Sequence, residues 1–115
     1  MLNNLQIANG IAVALEEKKG EEITVLDISQ VSSFSDYFII CNGTSDRMLK
    51  SLSDTVIETS KRNFSVNGRL EGRPENGWVL VDLGDIIVHL FSPYQRDYYQ
   101  LEELWSNAKV VLKLK

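Results

Sequence analysis

Three groupings of residues in this 115-residue chain have the types and spacing that chemistry uses. The first is Gly43-Thr44-Ser45, set between a short apolar run and a helical pattern. Backbone N–H groups at a helix N-terminus can hold a phosphate. Nucleotidyl or phosphoryl transfer would also need two or three carboxylates converging on Mg²⁺. No Asp-x-Asp pattern follows to supply them, since Asp54 falls on the helix and the next strand offers Glu71 alone. A capped helix after a tight turn explains the same residues without chemistry. The second grouping is Asp82, Asp85 and His89, whose side chains are of metal-ligand type. Asp82 and His89 are offset along one strand face, Asp85 lies in the turn itself, and no third ligand stands at a recognisable spacing. The expectation is therefore a solvated strand aspartate and a turn aspartate, with no metal and no cofactor. His89 is the only histidine, and no Ser or Cys motif directs it at a nucleophile. Cys41, the only cysteine, sits inside the apolar run and reads as an inert core thiol without a disulfide partner.

The third grouping is aromatic. Trp78, Phe91, Tyr94, Tyr98, Tyr99 and Trp105 crowd one third of the chain. Tyr98, Leu101 and Leu104 are expected in the core. Tyr98 and Tyr99 are adjacent, so both cannot face inward on one narrow helical stripe. Trp78 stands at a strand start beside a polar turn. Aromatic residues at the margin of an apolar surface, with Arg96 and acids nearby, have the composition of a binding hot spot. Trp78 and Tyr99 are accordingly read as interface residues.

The elements that position these groups follow from periodicity. Trp78–Leu83 and Ile86–Phe91 flank Gly84-Asp85, and glycine at the first central position suits a primed hairpin turn. Pairing outward puts Leu83, Val81 and Val79 opposite Ile86, Val88 and Leu90 on an aliphatic face. Asp82, Leu80 and Trp78 then oppose Ile87, His89 and Phe91 on a mixed one. Ser92-Pro93-Tyr94-Gln95 is a helix start, and Tyr94, Tyr98, Leu101 and Trp105 recur at helical spacing. Upstream, residues 3–19 read as a helix with Gly20 as its left-handed cap, and Glu22–Ile28 as a strand. Asp36–Asn42 lacks alternation and reads as a central strand buried on both faces. A second helix spans about 46–62, with Leu49, Leu52, Val56 and Thr59 inward and Arg47, Lys50, Lys61 and Arg62 outward. A weaker strand runs from Phe64 to about Gly72. Strand, helix and strand at this spacing suggest a parallel crossover. The tail from Ala108 to Lys115 fits either a short edge strand or a frayed end. The fold class is α/β: a mixed sheet of about five strands with helices packed on it.

Length permits one domain with a real core. A net charge of −4 gives no basic footprint for gripping phosphate backbones, which disfavours a free-standing nucleic-acid binder. No apolar run approaches the roughly 18 residues of a membrane span. The start Met-Leu-Asn-Asn-Leu-Gln lacks the marks of a signal or transit peptide, so a cytoplasmic location is expected.

The run from Asp36 through Asn42, Gly43, Thr44 and Ser45 to Arg47 resembles a signature of the ribosomal silencing factor family, RsfS, also called the Iojap family. So do Glu71-Gly72, Trp78–Asp82 with Gly84-Asp85, Val88 and His89, and the block Arg96-Asp97-Tyr98-Tyr99, Leu101-Glu102, Leu104-Trp105. Four ordered blocks cover essentially residues 3–106, so one domain over 1–106 and a tail over 107–115 are expected. The resemblance implies a nucleotidyltransferase-like core that has lost its catalytic carboxylates, and a binding protein rather than an enzyme. It implies attachment to ribosomal protein number fourteen of the large subunit, occlusion of the small subunit, and repression of translation when nutrients run short. It also implies a homodimer in many members. With the strand faces, it makes Glu71, Trp78, Asp82, Asp85, His89, Arg96 and Tyr99 the candidate partner-binding residues. Pro93-Tyr94-Gln95 falls in a stretch that varies in the family, so Tyr94 inherits no role. The rival is a nucleotidyltransferase-like or phosphate-handling enzyme using Gly43–Ser45 with Asp82 and Asp85.

Overall fold

Side chains alternate along a strand, so the pattern of the hairpin dictates a sheet with two unlike faces. The computed structural model describes residues 2–115 and shows that sheet. Its strands are β1 (Glu21–Asp27), β2 (Tyr37–Asn42), β3 (Arg69–Arg73), β4 (Trp78–Asp82), β5 (Ile86–Phe91) and β6 (Lys109–Leu114). They lie in the order β3-β4-β5-β2-β1-β6. β2 and β5 are parallel, and every other neighbouring pair is antiparallel. The sheet is mixed, as expected, but has six strands rather than about five. The sixth is the tail, which pairs with β1 as an edge strand.

The hairpin register is the one its pattern requires: Val81 faces Val88, Val79 faces Leu90, Leu80 faces His89 and Trp78 faces Phe91. The Leu83 N–H closes the turn on the Ile86 carbonyl at 2.9 Å. Gly84 has φ +89 while Asp85 keeps a negative φ, the pattern of a type II′ turn.

Helices α1 (Asn4–Glu17) and α2 (Asp46–Phe64) cover the first face. α1 starts in a capping box, in which the Asn3 side chain accepts from the Gln6 N–H and the Gln6 side chain accepts from the Asn3 N–H. Ile11, Ala12, Leu15, Leu49, Leu52 and Val56 meet Ile23, Val25, Ile39, Cys41, Val79, Val81, Val88 and Leu90 in one core. Each fully buried large aliphatic side chain there contributes roughly 1.5–3 kcal/mol. Ser53 and Ser60 are also buried, and their hydroxyls donate back to the Lys50 and Ile57 carbonyls at 2.8 and 3.1 Å. Thr59, expected inward, is half-buried.

A second, smaller core lies on the other face, where Leu26, Ile28, Phe38, Ile40 and Phe91 are packed by Leu101, Trp105 and Ala108. α3 (Pro93–Tyr99) and α4 (Leu101–Leu104) belong to this side.

Three local expectations are corrected. α2 runs on through Phe64, so that residue is helical and its ring lies beside Gly10 of α1. Lys19, not Gly20, takes the left-handed cap, at φ +72. Gly20 is needed for closeness instead: a Cβ there would stand 2.6 Å from Cys41 Sγ. Finally, β3 is parallel in direction to β2 but sits at the far edge, with the hairpin inserted between them. β4 and β5 have apolar residues for both faces and take inner places. β3 is exposed at every position, which suits an edge.

Candidate partner-binding face

The second face is covered over only half its width. Toward β1 and β2 it carries the smaller core; toward β3 and β4 it opens to solvent. Cross-strand pairing arranges this open half in rows. Glu71, Leu80 and His89 form one row, Arg73, Trp78 and Phe91 the next, and Arg69, Asp82 and Ile87 the third. Glu71 is exposed, Trp78, Leu80, Asp82 and Ile87 are half-buried, and His89 is buried.

The covering helices explain where the aromatics go. Ser92 caps α3 by accepting from the Gln95 N–H at 3.2 Å, with Pro93 in the first turn. Gln100 then adopts the left-handed conformation at φ +49 and ends α3. This single residue resets the helical phase. Leu101 and Trp105 turn onto the sheet, where Trp105 packs edge-on against Phe38 at 5.1 Å. Tyr98 and Leu104, expected in the core, are 68% and 75% exposed. Tyr99 bridges the two environments, with its ring 5.1 Å from Tyr98 and 4.6 Å from Trp78.

Trp78 stacks on Phe91 at 5.0 Å between ring centroids. Its indole Nε1–H donates to His89 Nδ1 at 3.3 Å. An accepting Nδ1 is unprotonated, which assigns the neutral tautomer with hydrogen on Nε2. Burial pushes the His89 pKa down from its ordinary 6.5 to about 4, because the charged form would lose its hydration. The Nε2 atom is itself buried without a hydrogen-bond partner among the described residues. His89 therefore belongs to the floor of the open face.

Arg96 is likewise internal. Its side chain is 12% exposed. It donates to both Glu102 carboxylate oxygens at 3.0 and 2.9 Å, to Asn42 Oδ1 at 3.1 Å and to Thr24 Oγ1 at 3.3 Å. It also donates to the Glu22 carbonyl. These bonds tie α3 and α4 to the ends of β1 and β2. Asp82 accepts from the Gly84 N–H at 2.8 Å and faces Arg69 at 3.6 Å. Asp85 is exposed at the turn, while its carbonyl accepts from the Asp36 and Tyr37 N–H groups and the Ser35 hydroxyl.

Of the seven candidates, then, Glu71, Trp78, Asp82 and Tyr99 line or border the open face. His89 lies beneath it, Asp85 lies at its end and Arg96 is a strut. Leu80 and Ile87, expected on this face but not among the candidates, join the apolar floor, and Arg69 and Arg73, not singled out from the sequence, form its charged margin. Leu80 carries a usable signal, being an apolar residue on a face otherwise polar at that row.

The residues of the rival enzyme do not converge. Gly43 follows β2 at the Phe91 end of β5, whereas Asp85 precedes β5 at the other end. The intervening strand spans about 17 Å at ~3.3 Å per residue. The Gly43 N–H is already donated to the Phe91 carbonyl at 2.8 Å, and Ser45 Oγ accepts from the Met48 N–H at 3.0 Å. Asp46, in the first turn of α2, would also repel a phosphate. Among the described residues no three His, Cys, Asp or Glu side chains gather as a metal site would need.

Comparison with known proteins gives a consistent result. The family model described as "Ribosomal silencing factor during starvation", RsfS, matches residues 2–115. The Bacillus subtilis protein named ribosomal silencing factor RsfS is 38% identical over 107 residues, covering 93% of this chain and 91% of that one. A crystal structure of a Chromobacterium violaceum protein superposes with a TM-score of 0.86 at 37% identity, covering 91% of this chain and 88% of the other. A mouse protein named "Mitochondrial assembly of ribosomal large subunit protein 1" is 30% identical over 95 residues, 80% of this chain and 42% of its own length.

Proposed function

The chain belongs to the ribosomal silencing factor (RsfS) family, and on that premise we propose that it binds the large ribosomal subunit through ribosomal protein number fourteen and blocks joining of the small subunit. Translation is thereby repressed when nutrients are limiting. The reading needs binding alone, since occupying a surface that another particle requires involves no covalent step. A cytoplasmic location and a homodimeric form of the free protein go with it.

The observation that carries this reading is the uncovered half of the second sheet face. It combines an apolar floor of Leu80 and Ile87 with an aromatic margin of Trp78 and Tyr99, and it is rimmed by Glu71 and Asp82 together with Arg69 and Arg73. Aromatic anchors beside charged rim groups are the usual make-up of a binding hot spot. The rim is mixed in charge, with Arg69 3.8 Å from Glu71 and 3.6 Å from Asp82, so it serves orientation more than affinity. The name of the mouse relative, which refers to the large subunit, agrees with the choice of particle.

The test is sedimentation of the purified protein with isolated large subunits, isolated small subunits and joined ribosomes. Co-sedimentation with free large subunits, together with loss of joining, is the expected result. Failure to bind large subunits would overturn the proposal.

A further inference from the structure

His89 presents a physical puzzle. It is 5% exposed, its Nε2 has no hydrogen-bond partner among the described residues, and it packs edge-on against Phe38 at 4.7 Å. A buried polar atom left without a partner costs free energy that an apolar side chain would not. Leucine or phenylalanine would fill a place among Phe38, Ile40 and Phe91 without that cost. What the imidazole supplies, and they cannot, is the Nδ1 lone pair that receives the Trp78 indole N–H.

That bond decides what Trp78 shows to the outside. Trp78 is held from below by Phe91 and from the side by Tyr99. Both contacts are apolar and allow the indole to slide or turn over. A single directional bond to the neighbouring strand β5 selects one orientation. It also satisfies the only polar group of the side chain, so Trp78 has carbon alone left to offer a partner. Ordering a rotamer-rich side chain on binding costs affinity, and ordering it beforehand removes that cost.

We propose that His89 is a positioning residue, which fixes the Trp78 indole in its binding orientation from the floor of the same sheet face through the Nε1–H to Nδ1 hydrogen bond. The proposal rests on the reading of Trp78 as a contact to the large subunit. The partner group over Trp78 is then apolar or cationic, because no donor remains for an acceptor to meet.

The experiment uses an isosteric pair. His89→Asn places an amide oxygen close to the position of Nδ1, and His89→Leu has a similar volume without an acceptor. The first readout is the indole ¹H–¹⁵N signal of Trp78 in the free protein, with Trp105 as internal reference. In the parent and in His89→Asn the signal should be downfield and slow to exchange with solvent. In His89→Leu it should move upfield and exchange at least about tenfold faster, while Trp105 stays in place. The second readout is affinity for isolated large subunits. His89→Leu should weaken it roughly three- to tenfold, the worth of one hydrogen bond, and His89→Asn should restore it. An altered indole signal with unchanged affinity would overturn the positioning role, as would equal losses in both variants. Trp78→Ala separates the two levels of the argument. Unchanged affinity in that variant, with folding intact, would remove Trp78 from the interface and the proposal with it. A loss there alongside normal His89→Leu binding would overturn the positioning role alone.

Discussion

The Arg96 guanidinium grips the Glu102 carboxylate through two bonds, of 3.0 and 2.9 Å, across the left-handed residue that separates α3 from α4. The pair spans the one point where the covering helices would hinge. Arg96→Ala removes that clamp together with the bonds to Asn42 and Thr24, and leaves Glu102 unpaired. Breaking a largely buried, hydrogen-bonded pair by removing one partner costs about 3–5 kcal/mol when burial is complete, and Glu102 is partly exposed, so about 2–3 kcal/mol is expected here. Urea denaturation should show the midpoint falling by the corresponding amount. A change below about 0.5 kcal/mol would mean that the strut is ornamental.

Trp78→Ala should weaken binding to the large subunit by about 2–4 kcal/mol, the range of an aromatic hot spot. Trp78→Phe should lose less, because stacking on Phe91 and Tyr99 survives while the bond to His89 does not. Affinity measured by pelleting across a concentration series separates the two variants. Equal losses would contradict an apolar contact.

The buried imidazole makes stability depend on acid. His89 titrates at about 4 in the folded chain and near 6.5 when unfolded. Between those values the unfolded chain binds the extra proton, so stability falls as pH drops from about 6.5 to about 4 and levels off below for this group. The loss attributable to it is about 3 kcal/mol, at 1.36 kcal/mol per pH unit. The slope of unfolding free energy against pH should flatten over that window in His89→Leu, and an unchanged slope would assign the loss to other groups.

Cys41 is fully buried, and desolvation pushes its thiol up to about 12. A thiol-specific reagent at neutral pH should therefore modify the native protein only as fast as it opens, and react at once in denaturant. Rapid labelling of the native state would contradict the packing of β2 against α1 and α2.

Much of this fold is legible locally. The hairpin register, the aliphatic inner face and the buried β2 follow from alternation and from Gly84-Asp85, signals that lie within a few residues of what they specify. The position of β3 is less legible, since it depends on which strand occupies the place beside β2, a competition settled over long range by the apolar hairpin. The reversal of Tyr98 and Leu104 has a smaller cause. Helical periodicity from Tyr94 to Trp105 holds only if the helix is continuous, and Gln100 breaks it without a glycine or asparagine to announce the left-handed turn. In the sequence Arg96 reads as a partner-binding group, because charge alone does not reveal Asn42, Thr24 and Glu102 around it. In the candidate site, Trp78 and Tyr99 were legible as aromatics at a margin. The depth of His89 is not, because the Phe38 ring that packs on it comes from β2, far off in sequence.

The two outer strands carry their own protection. A second copy adding antiparallel to β3 about its centre would set Glu71 against Glu71 and Arg69 against Arg73, with every one of these side chains exposed. The same operation on β6 about Val111 would oppose Lys109 to Lys113. Like charges directly across a ladder are destabilising, so in these symmetric registers each border disfavours pairing with its own copy. Edge-to-edge pairing in those registers is thus discouraged by charge.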